Sequence, residues 1–476
     1  MRLARLALPG WLAFLPCAAQ PLPAPFDHYL RAEMELNHLP GLAAAIVRPG
    51  EILLGAYGVR DLSTGEPMTP ATLVELASVS KPLTALAVAR LEQEGRLRLD
   101  EPVRRYLPEF RVDHTESDRI TVRHLLEHTS GLLRADDYRV PCCGRPGEGD
   151  LALAVRQLHA AQPRYRPGRR FRYANSNYVV LAAVIERVSG RPFATYMRES
   201  VFAPLGMWRT TLDAAQAEAW GLAAQHERAW GRFRVASQNF SGWYGSSLVK
   251  SPAEDVGRWL ASFLRGVPEF GPAGAARTWL DSRRRAPYQM GWYVHPNAEW
   301  LRGDLVLEHT GFIWGANTAV VVSPRRQLAA AVLINAGTTR AGPVARGLLA
   351  RAAGLRGPPP ERASFGSQAD NWAFAIAASG TVLGLATAIY ALRAWREWRA
   401  GRRRLQWRGN RIQQIRSLLL AAMAGFIVYL LAGGVRPLAS LPSSLRVAIP
   451  LLGLSTAALL LLAAALGVAP RSATRS

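Results

Sequence analysis

Lysine is almost absent from this chain of 476 residues, although its positive charge is large. Lysine and arginine together number 58, and only Lys81 and Lys250 are lysine, which leaves 56 arginines. An arginine side chain stays protonated in proteins and cannot serve as a base in catalysis. Lys81 and Lys250 are therefore the only long cationic side chains of this protein that can give up a proton.

Cysteine is also scarce, with only Cys17, Cys142 and Cys143 in the chain. Three cysteines are too few for a fold held together by disulfides, and a hydrophobic content of 49% is too high for a disordered chain. Cys142 and Cys143 are adjacent in a predicted loop. In an oxidising compartment they form either a strained vicinal disulfide or two free or otherwise modified thiols.

Positive charge is concentrated next to apolar segments. Of the formal charge of +23, Arg2, Arg5 and residues 393–476 carry +14, and the remaining +9 is spread over a long domain. This distribution argues against a nucleic-acid partner. Residues 1–19 combine Arg2 and Arg5 with a short apolar stretch and end in small residues, which predicts a secretory signal peptide cut after Ala19.

Three long apolar segments occupy the C-terminal part of the chain, at residues 372–392, 417–435 and 447–468. At 1.5 Å per residue each helix would reach ~28–33 Å, enough to cross a membrane. The loop between the first two holds nine arginines, whereas the loop 436–446 holds two. The positive-inside rule places the nine-arginine loop in the cytoplasm, against anionic lipid. We therefore predict a multi-pass protein of the inner (cytoplasmic) membrane, with residues 20–370 on the periplasmic or extracellular side.

The exported part is predicted to be one domain, residues 20–355, followed by a linker at 356–370 and the membrane region at 371–476. Two strands are predicted within residues 42–59 and four between residues 288 and 335. The middle of the domain, about 120–265, is predicted to be mainly helical. We expect an α/β (α+β) fold: a mostly antiparallel sheet flanked by terminal helices, with an inserted all-helical lobe. A cleft between the two is the expected site.

Ser78 and Lys81 stand three residues apart at the predicted start of a helix that ends near Gly95. Pro82 lacks an N–H and fits only the first turn of a helix, so the helix begins close to Ser78. The serine and the lysine then share one face at the positive end of the helix. A partly buried lysine with a lowered pKa can remove the proton of a serine hydroxyl, which makes Ser78 a candidate nucleophile.

Two further motifs contain groups that could assist such a serine. Tyr173 and Asn175 open a predicted helix at 175–189, where a phenol could relay protons and an amide could hold a carbonyl group or the lysine. The segment His309-Thr310-Gly311 ends a predicted strand, whose edge could pair with an extended substrate and lend a backbone N–H to an oxyanion. Taken alone, each of these two motifs is better explained by a structural role.

The order of these motifs and the sequence around them resemble the serine β-lactamase and penicillin-binding-protein superfamily. The branch in question holds class C β-lactamases, DD-peptidases, D-aminopeptidases and esterases. The resemblance covers roughly residues 25–355 and includes the segments PGLAAAIV, YGVRDLSTG, ELASVSKPLTALAVARLEQEGRLRLDEPV, ITVRHLLEHTSGL, YANSNYVVLAAVIERVSGRPF and GANTAVVVSP. The three apolar segments also resemble the membrane region of prodrug-activating peptidases, such as the colibactin-maturing peptidase.

The resemblance implies a role for each matching residue. Ser78 would be acylated, Lys81 and Tyr173 would share the proton transfers, and Asn175 would orient the substrate amide and the lysine. Family members differ in how the lysine and the tyrosine divide the role of base.

On the strand side, the resemblance implies that the segment His309-Thr310-Gly311 binds substrate. The backbone N–H groups of Ser78 and Phe312 would bind the oxyanion. His309 stands where β-lactamases usually have lysine, which disfavours efficient β-lactamase activity. Lys250 also departs from the family, which usually has a small polar residue there.

A competing motif is His124, Glu127 and His128, which fits H-x-x-E-H. In an inverted zinc protease two such histidines on a helix bind zinc and the glutamate acts as base. The same letters belong to the segment HLLEHTSGL, which in the resembled family holds no metal. We therefore predict no metal and no cofactor.

Together these features predict a membrane-anchored, outward-facing serine hydrolase that forms an acyl-enzyme with a small peptide or acyl-amide substrate, next to a D-amino acid. The alternatives are a DD-carboxypeptidase acting on peptidoglycan, a β-lactamase and an esterase. A non-catalytic sensor of a cell-wall ligand is a different class of function. A pure binding module has no need of Ser78, Lys81 and Tyr173 together.

Overall fold

A computed structural model describes residues 22–140, 151–229, 231–236, 243–265 and 286–363, with scattered helical positions between 377 and 400. Several predicted features lie outside these residues: the signal peptide, Cys142 and Cys143, the end of the linker, much of the segment 372–392, and the segments 417–435 and 447–468. Within the described residues, no helix combines the length and the hydropathy needed to cross a membrane.

An antiparallel sheet of seven strands forms the centre of the domain. In chain order these strands are β1 (Gly41–Arg48), β2 (Glu51–Gly58), β7 (Tyr288–Gln289), β8 (Trp292–Ala298), β9 (Asp304–Ile313), β10 (Ala316–Ser323) and β11 (Leu328–Ile334). Across the sheet the order is β2-β1-β11-β10-β9-β8-β7. Two smaller sheets pair β3 (Val74–Glu75) with β6 (Lys250–Ser251), and β4 (His226–Ala229) with β5 (Arg232–Val235).

The α-helices form two main groups, one that packs against the sheet and one that forms a separate helical lobe. Those against the sheet are α1 (Ala24–Asn37), α8 (Ala253–Arg265) and α9 (Ala341–Ala352). Helix α2 (Ser80–Gln93) packs mainly against the helical lobe. The helical lobe, residues 122–219, contains α3 (Val122–Leu126), α4 (Leu151–Gln157), α5 (Asn175–Ser189), α6 (Phe193–Met197) and α7 (Ala214–Ala219). Shorter 3-10 turns include Ala77–Val79 and Arg134–Arg139.

The central strands are buried on both faces because helices cover both. Alternate side chains of β11 enter two separate apolar clusters: Ala329, Ala331 and Leu333 in one, and Ala330, Val332 and Ile334 in the other. The first cluster also contains residues of α2, α5 and α8, and the second contains residues of α1 and α9. Fully buried antiparallel strands explain why these segments are almost wholly apolar rather than alternating.

The predicted sheet, its terminal helices and the inserted helices are confirmed. The predicted extent of the helical middle was wrong at its C-terminal end. Residues 226–235 form a hairpin there, and α8 packs on β1 and β11 rather than in the lobe. The apolar stripe of α8, which includes Val256, Trp259 and Leu260, identifies a helix with one buried face. It does not specify which surface covers that face.

Candidate active site

Ser78 lies on a tight turn between β3 and α2. The turn Ala77–Val79 is a single 3-10 turn that continues directly into the helix. The hydroxyl of Thr318 on β10 donates to the carbonyl of Leu76 at 2.6 Å, which ties the turn to the sheet. Ala77 has a φ of 49°, a left-handed conformation that costs a residue with a Cβ roughly 1–2 kcal/mol. This bend leaves Ser78 half-exposed between two buried neighbours.

Lys81, the second residue of α2, lies one helical turn after Ser78 and is fully buried, with its Nζ 3.1 Å from the Oγ of Ser78. It donates to the side-chain oxygen of Asn175 at 2.8 Å and to the carbonyl of Ser246 at 3.0 Å. A neutral amine has two N–H donors and one lone pair. Since the two oxygens accept both N–H groups, the lone pair faces the hydroxyl of Ser78. Burial lowers the pKa of Lys81 to about 7, so a large fraction of the amine is neutral at neutral pH.

Asp137 fixes the orientation of Asn175. The amide nitrogen of Asn175 donates to Asp137 at 3.1 Å, and the backbone N–H of Ser176 donates to the same carboxylate at 2.8 Å. A carboxylate only accepts, so the amide oxygen must face Lys81. Burial raises the pKa of Asp137, and the donated hydrogen bonds oppose that rise. Sequence analysis missed Asp137; its one signal was a pair of acids inside an arginine-rich stretch.

Tyr173 comes from the helical lobe and closes the site over the serine and the lysine. The Nζ of Lys81 lies 4.8 Å from the centre of its ring, and its hydroxyl is hydrogen-bonded to Ser78. Burial raises the pKa of Tyr173 well above 10, although the bond to Ser78 opposes this. The phenol therefore keeps its proton at neutral pH, which leaves Lys81 as the better placed base.

His128 supports Tyr173. Its φ is 55° and it lies beyond the end of α3, so it does not share a helix face with His124. Its Nδ1 accepts from the side chain of Asn177 at 3.0 Å and from the N–H of Ala174 at 3.4 Å, and its ring packs 4.4 Å from that of Tyr173. Across the described parts of the chain, no cluster of three or more His, Cys, Asp or Glu could hold a metal ion. The geometry does not support the zinc alternative.

Strand β9 passes directly beside the turn that carries Ser78. A Cβ at Gly311 would lie 2.2 Å from the carbonyl oxygen of Leu76, so only glycine permits this approach. Strand β8 pairs with β9 as far as Glu308, and no described strand continues along that edge from His309 onward. The edge of β9 that faces away from β10 is therefore open from His309 onward, next to the serine, as expected for a site that takes an extended substrate.

The ring of His309 is buried and fully hydrogen-bonded within the protein. The hydroxyl of Tyr288 donates to its Nε2 at 3.0 Å, and its Nδ1 donates to the carbonyl of Thr310 at 2.9 Å. Burial lowers the pKa of His309 to about 3, with a further contribution from Lys81. The ring is neutral and offers no positive charge to a substrate. The side chains of Thr310 and Phe312 alternate to the other face of β9, where the methyl group of Thr310 lies close to α9.

Lys250, the other lysine, lies behind the turn of the serine. It pairs with Glu75 across β3 and β6, and its Nζ lies 3.7 Å from the carboxylate. Both side chains are buried. Burial raises the pKa of Glu75 to about 7, and Lys250 opposes this rise. Lys250 therefore stabilises the β3–β6 pair that precedes the turn of Ser78, and it is not among the side chains that contact Ser78.

A serine set against a buried lysine at the start of a helix, with a tyrosine above it and an open strand beside it, defines a serine hydrolase site of the β-lactamase and penicillin-binding-protein type. The profile of the Beta-lactamase family matches residues 26–354. The chain therefore belongs to the beta-lactamase family.

Individual relatives show the range of this family. The chain is 25% identical over 321 residues to Protein flp of Staphylococcus aureus (strain MW2), a match that covers 65% of this chain and 62% of that protein. It is 40% identical over 198 residues to Esterase EstB of Burkholderia gladioli, covering 39% of this chain and 49% of the esterase. The chain thus spans less than two thirds of the length of these curated relatives.

Solved structures share the fold. An octameric penicillin-binding protein homologue from Pyrococcus abyssi superposes with a TM-score of 0.61 at 25% identity, covering 70% of this chain and 77% of that chain. A β-lactamase/D-alanine carboxypeptidase from Pseudomonas syringae gives a TM-score of 0.57 at 23% identity, covering 70% and 99%.

Proposed function

We propose that this protein hydrolyses esters or amides through an acyl-enzyme on Ser78. The observation that carries this proposal is the position of the Lys81 amine. It is buried, it donates to Asn175 and Ser246, and its Nζ lies 3.1 Å from the Oγ of Ser78, where the lone pair of the neutral amine would point. A binding module would gain nothing from burying a lysine in this way, because burial of an amine is costly.

In the first half of the proposed reaction, the proton of the Ser78 hydroxyl passes to Lys81 while Oγ bonds to the carbonyl carbon of the substrate. The carbonyl oxygen becomes negative, and the backbone N–H groups of Ser78 and Phe312 are the proposed donors to it. The bond to the leaving group then breaks. Tyr173 gives its proton to the leaving oxygen or nitrogen and regains one from Lys81, which leaves an acyl-serine.

In the second half, a water molecule attacks the acyl carbon. Lys81 again accepts a proton, now from the water, and returns it through Tyr173 to the Oγ of Ser78. The acid product leaves and the site returns to its starting state. Tyr173 acts in both halves as a relay rather than as the primary base, because its phenol stays protonated.

Within this reaction class, we propose a peptidase or amidase that acts next to a D-amino acid. The open edge of β9 supports this choice, because an extended peptide can pair with it. A second candidate is an esterase, supported by the identity to the Burkholderia esterase and by the neutral His309. We also propose, from the sequence, that the domain is exported and anchored to the inner membrane by the three C-terminal apolar segments.

A fluorophosphonate probe tests the nucleophile. We expect the full-length protein to take up one label, Ser78→Ala to take up none, and the exposed control Ser63→Ala to label normally. Hydrolysis should persist in EDTA. Label that survives in Ser78→Ala, or a folded wild-type protein that takes no label, would overturn the proposal and favour the sensor. Assays of an acyl-D-Ala-D-Ala peptide, an N-acyl-D-amino-acid amide, nitrocefin and a p-nitrophenyl ester side by side would then assign the subclass.

A further inference from the structure

Unneutralised positive charge lies beside the candidate active site, on the helical lobe. The nine residues 164–172, which lead directly into Tyr173, include five arginines. Arg166 lies 3.5 Å from Glu116. The other four, Arg164, Arg169, Arg170 and Arg172, are exposed and form no ion pair with an acid of the described residues. Such a concentration of one sign attracts anions when it borders a cleft.

Three backbone contacts hold this segment in place. The N–H of Gly168 donates to the carbonyl of Thr129, and the N–H of Arg172 donates to the carbonyl of His128, both at 2.8 Å. Gly131 has a φ of 94°, and a Cβ there would lie 2.5 Å from the carbonyl oxygen of Tyr165. The segment that carries the arginines is thus held against residues 128–131, the turn that also supports Tyr173.

Arg134 follows this turn by three residues and adds a further cation from the other direction. It begins the 3-10 turn that also carries Asp137, whose carboxylate orients Asn175 in the site. Arg134 is exposed and has no ion-pair or hydrogen-bond partner among the described residues. Its charge acts on two groups of the site. It adds to the lowering of the pKa of Lys81, which is caused mainly by burial. It also opposes the rise that burial causes in the pKa of Tyr293, a residue of β8 whose ring stacks 6.5 Å from that of Tyr173.

The acids near these arginines are already engaged. Asp136 is buried and accepts from the N–H of Leu133 and from Arg139, and Asp137 is buried against Asn175. On the opposite side of the site, the strand offers only the neutral ring of His309. Any negative charge on a substrate would therefore be drawn towards the lobe and not towards the strand.

We propose that Arg134 and the segment 164–172 form a recognition surface for a negatively charged group of the substrate, such as a carboxylate on the part flanking the reacting bond. This inference rests on the proposed hydrolase function. It predicts that anionic substrates reach the site faster than neutral ones of the same shape, and that salt reduces the difference, because the Debye length falls to about 8 Å at physiological ionic strength.

A matched pair of substrates tests the inference. The full-length protein is assayed with p-nitrophenyl butyrate, which is neutral, and with p-nitrophenyl hemisuccinate, which has a carboxylate at a similar chain length. The measured quantity is the ratio of kcat/KM for the anionic ester to that for the neutral ester, at low and at high salt. This ratio cancels any change in the reactivity of Ser78 itself.

We expect the ratio to fall about tenfold in Arg134→Gln, further in the combined Arg134→Gln, Arg170→Gln, Arg172→Gln variant, and about tenfold in the wild type at high salt. Arg134→Lys should restore most of the ratio. The control is Arg325→Gln, in the exposed turn after β10 and seven residues beyond Thr318, roughly 20 Å along the strand from the site. This variant should leave both substrates unchanged.

A ratio that is the same in wild type, Arg134→Gln and the combined variant would overturn the inference, as would an equal loss for both esters. An arginine surface that serves lipid rather than substrate would give the first of these results. If the wild type hydrolyses neither ester while its serine takes no probe, the proposed function fails instead. The two failures are therefore distinguishable.

Discussion

The pKa of Lys81 makes a quantitative prediction about the pH dependence of hydrolysis. Burial lowers this pKa from 10.5 to about 7, which corresponds to about 5 kcal/mol in favour of the neutral amine. If the neutral amine is the base, kcat/KM for a neutral ester should rise about tenfold per pH unit below pH 7. It should then level off above about pH 8, where nearly all of the amine is neutral.

The same shift predicts how stability changes with pH. Because the folded-state pKa is lowered, the folded protein binds fewer protons than the unfolded chain between pH 7 and 10.5. The free energy of unfolding therefore rises with pH over this range, and the stability linked to Lys81 is fully present above pH 10.5. It is lost progressively as the pH falls to 7, by about 5 kcal/mol in total. Lys81→Met should remove this dependence.

The assay is a pH–rate profile from 5.5 to 9.5 for the wild type, Lys81→Met and Lys81→Arg, each with urea unfolding measured at the same pH values. Both variants should lose about 10²–10⁴-fold in kcat/KM, since neither retains a base. An apparent pKa near 10 in the wild type, or an acidic limb that survives in Lys81→Met, would refute the assignment of Lys81 as base.

Two further substitutions test the framework around the serine. Gly311→Ala should lower kcat on the order of 10²-fold, because a Cβ 2.2 Å from the carbonyl of Leu76 must displace the turn of the serine; steady-state kinetics measure this. Lys250→Met should lower the free energy of unfolding by about 3–5 kcal/mol, because Glu75 is left buried without its partner. The folded-state pKa of Glu75 is raised from 4.5 to about 7, so the stability that this group contributes is present below pH 4.5 and is lost as the pH rises through 7. The deficit should therefore be larger at pH 8 than at pH 5 in urea unfolding.

Each of these predictions has a control. For Gly311→Ala the control is Gly65→Ala, where no atom lies within 4 Å of the added Cβ; activity there should be retained. For Lys250→Met it is the double variant with Glu75→Gln, which should lose the difference between pH 5 and pH 8. Normal activity in Gly311→Ala, or equal deficits at the two pH values in Lys250→Met, would contradict the packing described.

The sheet and its flanking helices were predictable because their sequence patterns are local. Strand β10, for example, is a run of small and β-branched residues bounded by turns, and α5 has a tyrosine motif at its start and a glycine at its end. The place of α8 was not predictable in the same way. Its amphipathic pattern identifies a helix, but the surface that covers it is decided by packing between segments far apart in the chain.

The site was predictable to a similar extent. Ser78, Lys81, Tyr173 and Asn175 carry their chemistry in their side chains and stand in a recognisable order. Ser246 could not be found, because it contributes only a backbone carbonyl that no side-chain pattern marks.

The charge state and the burial of His309 also could not be predicted from the sequence. A histidine at a strand end can be charged and exposed or neutral and buried. Only the fold decides, by placing the hydroxyl of Tyr288 against one ring nitrogen.

Ala77 illustrates how the conformation of the turn that carries Ser78 limits attempts to improve the protein. A screen for thermostability would favour glycine at this position, since glycine accepts a φ of 49° without the steric cost of a methyl group. The same change would also let the backbone of the turn adopt other conformations, and the hydroxyl of Ser78 would move with it. Selection for heat resistance alone would therefore tend to lose turnover at this residue, and any library designed for robustness should keep the alanine fixed.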